Sequence, residues 1–170
     1  AKATFFSIGK NIVGHPEIYR RIIDEGHRPG NHTYNHVNGW KTSDKKYISN
    51  VFEAARHIDS DLFRPPYGRI TKFQAKVLQG ETGNRQSAIG NQQSAISNRQ
   101  FKIIMWDVLS GDFDEKISPE QCFQNVILNT KPGSIVVFHD STKAWERIKV
   151  ALPKVLDYYT KQGYGFDMIK

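Results

Sequence analysis

The stretch ATFFSIGKNIVGHPEIYRRIIDEGHRPGNHT, Ala3–Thr33, contains one full cycle of the pattern on which the fold rests. Its first part, "ATFFSIG" (Ala3–Gly9), is a short apolar run ending at a glycine turn, which reads as a strand. "HPEIYRRIIDEG" (His15–Gly26) has Pro16 near a helix start and Gly26 at its stop, and "HRPGNHT" is short and extended. The alternation then recurs. "SDKKYISNVFEAARHID" (Ser43–Asp59) reads as a helix capped by Ser43 or Asp44. "LFRPPYG" (Leu62–Gly68) is extended, because a residue before proline avoids the helical region. "TKFQAKVL" (Thr71–Leu78) is helical, "FKIIMWDV" (Phe101–Val108) a buried strand, and "SPEQCFQNVILNT" (Ser118–Thr130) a helix with Pro119 at its first position. "SIVVFHD" (Ser134–Asp140) is a strand, Ala144–Gly163 a long helix tolerating Pro153, and "YGFDMI" (Tyr164–Ile169) a last strand.

Repeated strand–helix alternation means parallel strands with helical crossovers, an α/β fold that either a barrel or an open sheet satisfies. Polar residues at the C-terminal ends of successive strands favour the barrel, where loops converge on one rim. The 170 residues, 38% hydrophobic and 12% aromatic, amount to one folded domain. One segment breaks the pattern: within Gly80–Gln100, "RQSAIGN" (Arg85–Asn91) is followed at once by "QQSAISN" (Gln92–Asn98). With one isoleucine per repeat it lacks the two apolar seams of a coiled coil, so 80–100 reads as a low-complexity insertion.

Charge and cysteine content exclude several classes. The 24 basic and 17 acidic residues give a net charge of +7, but Lys and Arg are scattered, densest at Asp44–Lys46 and Tyr19–Arg21. Nucleic-acid binding calls for a stripe or patch, so none is expected. The single cysteine, Cys122, rules out an internal disulfide and reads as a packed thiol on a helix. No apolar run approaches the roughly 20 residues that span a bilayer, and "AKATFFSIG" does not have the form of a signal peptide.

The chemistry-bearing residues lie where strands end. In "GNHTYNH" (Gly30–His36), His32 and His36 are four apart, a spacing that can converge on a metal or belong to ordinary loop histidines. Catalytic zinc takes three protein ligands, so the pair needs a carboxylate. In "RPPYG" (Arg64–Gly68) two prolines fix the backbone and Gly68 releases it, so the Tyr67 amide can be aimed as an oxyanion donor. Arg64 could hold a carboxylate by a bidentate contact, or simply sit at a rigid turn. "WDVLSGDFD" (Trp106–Asp114) closes a strand with three acids. "IVVFHD" (Ile135–Asp140) sets His139 at a strand's mouth, a general acid if a neighbouring carboxylate tunes it and otherwise a structural histidine.

Taken in order, "ATFFSIG", "GNHTYNH", "RPPYG", "WDVLSGDF" and "IVVFHD", with the terminal "ALPKVLDYYTKQGYGF", resemble the polysaccharide deacetylase (NodB-homology, carbohydrate esterase family 4) domain. The resemblance covers nearly all of 1–170 apart from the insertion at 80–100. It implies a deformed (β/α) barrel and metal-dependent removal of acetyl groups from N-acetylglucosamine polymers such as chitin or peptidoglycan, less often from xylan. By position, His32 and His36 resemble the metal ligands, for zinc, with cobalt or nickel also suited. Arg64 resembles the residue that orients the catalytic base, and the Tyr67 amide the oxyanion donor. His139 resembles the general acid, with Asp112 as the carboxylate that tunes it. Phe113 and Val137 would line the pocket for the acetyl methyl.

Two positions depart from the family: Phe113 stands for its usual tryptophan and Leu109 for a frequent aspartate, so the tuning of His139 rests on Asp112. The family's Thr-Phe-Asp-Asp-Gly-Pro motif, source of the base and third metal ligand, precedes the "KATFF" strand and is not in these residues. The resemblance therefore implies an N-terminal strand and helix missing from the chain, and weak or no activity for these 170 residues alone. The alternative is a non-catalytic glycan-binding relative of the same fold. Export or cell-envelope association follows from the family's substrates alone.

Overall fold

The computed structural model describes residues 1–81 and 99–170. The expected low-complexity insertion therefore falls almost wholly outside the described residues. The chain divides into two compact units, one of Lys2–Met105 with Met168–Lys170, the other of Trp106–Asp167 with Ala1.

In the first unit four parallel strands lie in sequence order: β1 (Thr4–Ser7), β2 (Arg28–Asn31), β3 (Leu62–Phe63) and β4 (Lys102–Ile103). Phe6 pairs with Gly30, Asn31 with Phe63, and Phe63 with Ile103. Helices α1 (Gly9–Gly14), α2 (Pro16–Asp24), α3 (Asp44–Ala55) and α4 (Lys72–Gln79) connect them. Along α3, Tyr47, Ile48, Val51, Phe52 and Ala55 recur at helical spacing, and this stripe packs with Phe63, Val77, Leu78 and Phe101 as the core. Helix α4 opens with a reciprocal capping box between Thr71 and Gln74 and closes on Gly80 in the left-handed region, φ 83°.

In the second unit β5 (Val108–Leu109) pairs in parallel with β6 (Val136–Val137). Helix α5 (Pro119–Ile127) is capped by Ser118 and Gln121, as its Ser-Pro start suggests, and it packs on α6 (Trp145–Lys161). Val126, Val155 and Tyr159 are buried in that contact with Phe123, Phe138, Tyr164 and Phe166 around them. Cys122 is fully buried on α5, and burial raises its thiol pKa.

Four sequence expectations are corrected. Gly9 does not turn the chain; it opens α1, where an added Cβ would lie 3.0 Å from the Ala54 Cα. Ser43 takes the N-cap position of α3 without a side-chain cap bond, while the Asp44 carboxylate accepts from Gln74 Nε2 at 2.8 Å. The expected single strand Phe101–Val108 is split into β4 and β5. Between them the Ile104 and Met105 carbonyls accept from the Arg64 guanidinium, and Asp107 Oδ1 accepts the Ile135 amide at 2.6 Å. The expected strand Tyr164–Ile169 is not one. Gly163 turns with φ 82°, and Tyr164 and Phe166 pack on the α5–α6 core. Among the described residues no helix is long and apolar enough to cross a membrane.

The core of the first unit contains a polar fault. The Tyr47 hydroxyl is fully buried and has no hydrogen-bond partner among the described residues, and burial drives its pKa well up. Burying an unpaired hydroxyl costs about 1–3 kcal/mol. Tyr47→Phe keeps the ring against Phe63 and should raise the urea midpoint, equivalent to about 1 kcal/mol of added stability. A lower midpoint would contradict the unpaired hydroxyl.

Candidate active site

The candidate residues of the first unit follow the C-terminal ends of β2 and β3, and they are held by buried polar groups. Asn31, with no exposed surface, donates Nδ2 to the Val51 carbonyl at 2.9 Å and accepts the Thr33 amide on Oδ1 at 2.9 Å. Its own carbonyl takes the Arg64 amide at 2.9 Å. Asn50 Oδ1 accepts the amides of Tyr34 and Asn35 at 3.0 and 2.9 Å. The Thr33 and Tyr34 carbonyls accept the first amides of α1, from Gly9 and Lys10.

This framework presents the two histidines side by side, ring centroids 4.9 Å apart. The Arg64 carbonyl lies 2.6 Å from His32 Nδ1. A carbonyl only accepts, so Nδ1 carries the hydrogen and Nε2 carries the lone pair, the arrangement common to metal-binding histidines. His36 Nδ1 lies 3.2 Å from the Tyr67 hydroxyl, with the rings 4.7 Å apart. Thr33, His36 and Tyr67 all have positive φ, at 64°, 56° and 60°, and they are the non-glycine residues with that conformation among those described. Such backbone costs about 1–3 kcal/mol per residue and gathers at functional sites. Here all three residues fall on the two loops that carry the histidines and "RPPYG".

Arg64 is buried, and burial lowers its pKa to about 10. Its charge is supported by the Phe6 ring, 4.1 Å away, and by the carbonyls of Ile104 at 3.2 Å and Met105 at 3.3 Å. Gly30 makes room for that ring: an added Cβ would fall 2.6 Å from Phe6. These contacts fix Arg64 as the residue that orients His32 through its carbonyl. Among the described residues no group of three His, Cys, Asp or Glu is arranged to hold a metal, so His32 and His36 fit as two donors of a set that needs a third.

The second unit holds the other candidates, after the ends of β5 and β6. Asp112 has no exposed surface, and its carboxylate accepts the His139 amide at 2.5 Å and lies 2.7 Å from His139 Nδ1. The His139 side chain is 42% exposed. Phe113 stands edge-on to its ring, centroids 5.4 Å apart, and Val137 is buried in β6. Arg147, which the sequence reading missed, donates Nε to the Asp112 carbonyl at 2.6 Å and also reaches the Lys143 carbonyl. Its signal was available: Arg147 shares one face of α6 with buried Ala151, Val155 and Tyr159, a charge on an apolar stripe.

Replacing Asp112 by Asn should lower stability by about 1.5–3 kcal/mol, because the charged acceptor of two hydrogen bonds is lost from a buried position. Urea unfolding at unchanged m-value measures it; an unchanged midpoint would mean the carboxylate does not carry these bonds.

Residues 1–82 match the polysaccharide deacetylase family. The chain is 29% identical over 172 residues to a peptidoglycan-N-acetylglucosamine deacetylase of Bacillus cereus, covering 98% of this chain and 72% of that protein. It is 32% identical over 166 residues to chitin deacetylase 2 of Saccharomyces cerevisiae, covering 91% of this chain but only 47% of that one. A solved peptidoglycan N-acetylglucosamine deacetylase superposes with a TM-score of 0.79 at 28% identity, covering 99% of this chain and 73% of the other. A mutant of a CE4 family pseudoenzyme with restored enzymatic activity superposes at 0.77 with 26% identity, covering 99% and 56%. Residues 1–82 therefore carry a polysaccharide deacetylase (NodB-homology, CE4) domain sequence, and over its length the chain is similar in fold to solved deacetylases of that family.

Proposed function

We propose that the protein hydrolyses acetyl groups from a polysaccharide, most simply the N-acetyl groups of N-acetylglucosamine units in peptidoglycan-like or chitin-like glycans. The observation that carries this reading is the Asp112–His139 pair. An ionised carboxylate accepts, so His139 Nδ1 carries the hydrogen and Nε2 is the nitrogen that takes up and gives away a proton. In amide hydrolysis water adds to the acetyl carbon, the carbon–nitrogen bond breaks, acetate departs and the amine needs a proton. His139 Nε2 supplies that proton, and Asp112 holds the ring and balances its charge.

Further roles follow from the same reading. The Tyr67 amide is the oxyanion donor, aimed by backbone held in a strained conformation. Phe113 and Val137 give the acetyl methyl an apolar wall. His32 and His36 would hold a divalent ion, zinc or else cobalt or nickel, together with a carboxylate as third ligand, a second carboxylate serving as base. When bound, such an ion supplies Lewis-acid activation of water and of the acetyl carbonyl. The named deacetylases among the relatives support this reading, and such glycans place the protein at the cell envelope or outside it.

A glycan-binding relative without catalysis is the second reading. It is favoured by the likeness to a CE4 family pseudoenzyme. Acetate release from N-acetylglucosamine oligomers by the full-length protein separates the two. His139→Ala should lower turnover about 10²–10⁴-fold with bound zinc unchanged. Normal turnover in that variant would reject the acid role, and no acetate release from the unaltered protein would favour the binding reading.

A further inference from the structure

We propose that Trp40 and Arg69 form a second sugar-binding subsite, one that selects a carboxylate-bearing pyranose of the same glycan. This rests on the polysaccharide reading above and extends it to the kind of polymer. Trp40 is 65% exposed, yet its ring is anchored. Its Nε1 donates to the Ile70 carbonyl at 3.1 Å, and its backbone amide donates to Asn38 Oδ1 at 3.0 Å. A lone surface tryptophan needs no explanation, but an indole pinned by its polar edge with its apolar body in water is a rigid stacking plate.

The plate has a charged neighbour. The Arg69 guanidinium carbon lies 5.1 Å from the Trp40 ring centroid, and among the described residues Arg69 enters no ion pair. Pyranose rings offer apolar C–H faces that stack on an aromatic plate, while their substituents project at the rim. The guanidinium lies over one face of the ring, so a pyranose would stack on the other, and its N–H edge is left to take a carboxylate at the rim by paired hydrogen bonds. A neutral N-acetylglucosamine polymer offers no such group; a glycan that alternates it with an acidic sugar does.

The loops that carry the subsite and the histidine pair are tied together. Gly39 donates to the Arg69 carbonyl at 3.2 Å, and Gln74 Nε2 donates to the Gly39 carbonyl at 3.0 Å. An added Cβ at Gly39 would fall 2.5 Å from the Arg69 carbonyl, so the close approach of the two loops requires glycine. One loop carries His36 and Trp40, the other Tyr67 and Arg69, and Tyr67 meets His36 ring to ring at 4.7 Å. A glycan strand with one sugar at the histidine end can therefore lay another on Trp40.

Calorimetric titration of the full-length protein tests this with two probes. One is the N-acetylglucosamine hexamer; the other is a tetrasaccharide alternating N-acetylglucosamine with its lactyl-carboxylate sugar. Trp40→Ala should weaken both on the order of tenfold, and Trp40→Phe should restore most of the affinity. Arg69→Gln should weaken only the acidic probe, about fivefold, with the loss in turnover assays falling on KM. Unchanged affinities in Trp40→Ala, or an Arg69→Gln effect equal on both probes or absent from both, would overturn the subsite and leave the deacetylase reading standing. Failure of the unaltered protein to bind either probe would overturn both.

Discussion

Asn31 has no exposed surface, and its side chain and backbone join the three elements that position the candidate residues of the first unit. Its nitrogen ties the end of β2 to the Val51 carbonyl on α3, and its oxygen turns the chain by taking the Thr33 amide. Its backbone carbonyl accepts from Arg64 after β3. A buried amide left unpaired would cost more than these bonds contribute, so the arrangement is all or none. Thr33 at φ 64° is tolerated because the surrounding bonds over-determine it. The positions of His32 and His36 are consequences of that joint.

The same device occurs in each unit. His32 has its Nδ1 committed to the Arg64 carbonyl, and His139 has its Nδ1 committed to the Asp112 carboxylate. Each commitment fixes the tautomer and assigns the chemistry to Nε2. The Arg64 carbonyl leaves the His32 Nε2 lone pair unengaged by that bond, and the Asp112 carboxylate orients the His139 ring. Arg147 secures the second arrangement through the Asp112 carbonyl, as the Phe6 face and two carbonyls secure Arg64 in the first.

Much of this was legible in the sequence because it depends on local pattern. The strand–helix alternation, the Ser118 and Pro119 helix start, and the placing of His32, His36, Arg64, Asp112 and His139 after strand ends all follow from short windows. What the windows could not give is settled by distant partners. The apolar run Phe101–Val108 promised one strand, but Arg64 draws off the Ile104 and Met105 carbonyls and Asp107 pairs with Ile135. Tyr164 and Phe166 look like strand residues, yet their rings fill the α5–α6 core. Asn31 and Asn50 read as ordinary polar loop and helix residues until their partners, up to twenty positions away, are known. Arg147 was the exception, visible as a charge on a buried stripe and overlooked.

The central claim is that His32 and His36 are two ligands of one catalytic metal. Anomalous diffraction at the zinc edge, on crystals of the full-length protein grown with zinc, decides it. The expected result is one peak within bonding distance of Nε2 of both histidines, with a carboxylate completing the set. A protein that takes up no zinc there, with the two rings turned apart, would contradict the claim and leave a glycan-binding fold without its chemistry.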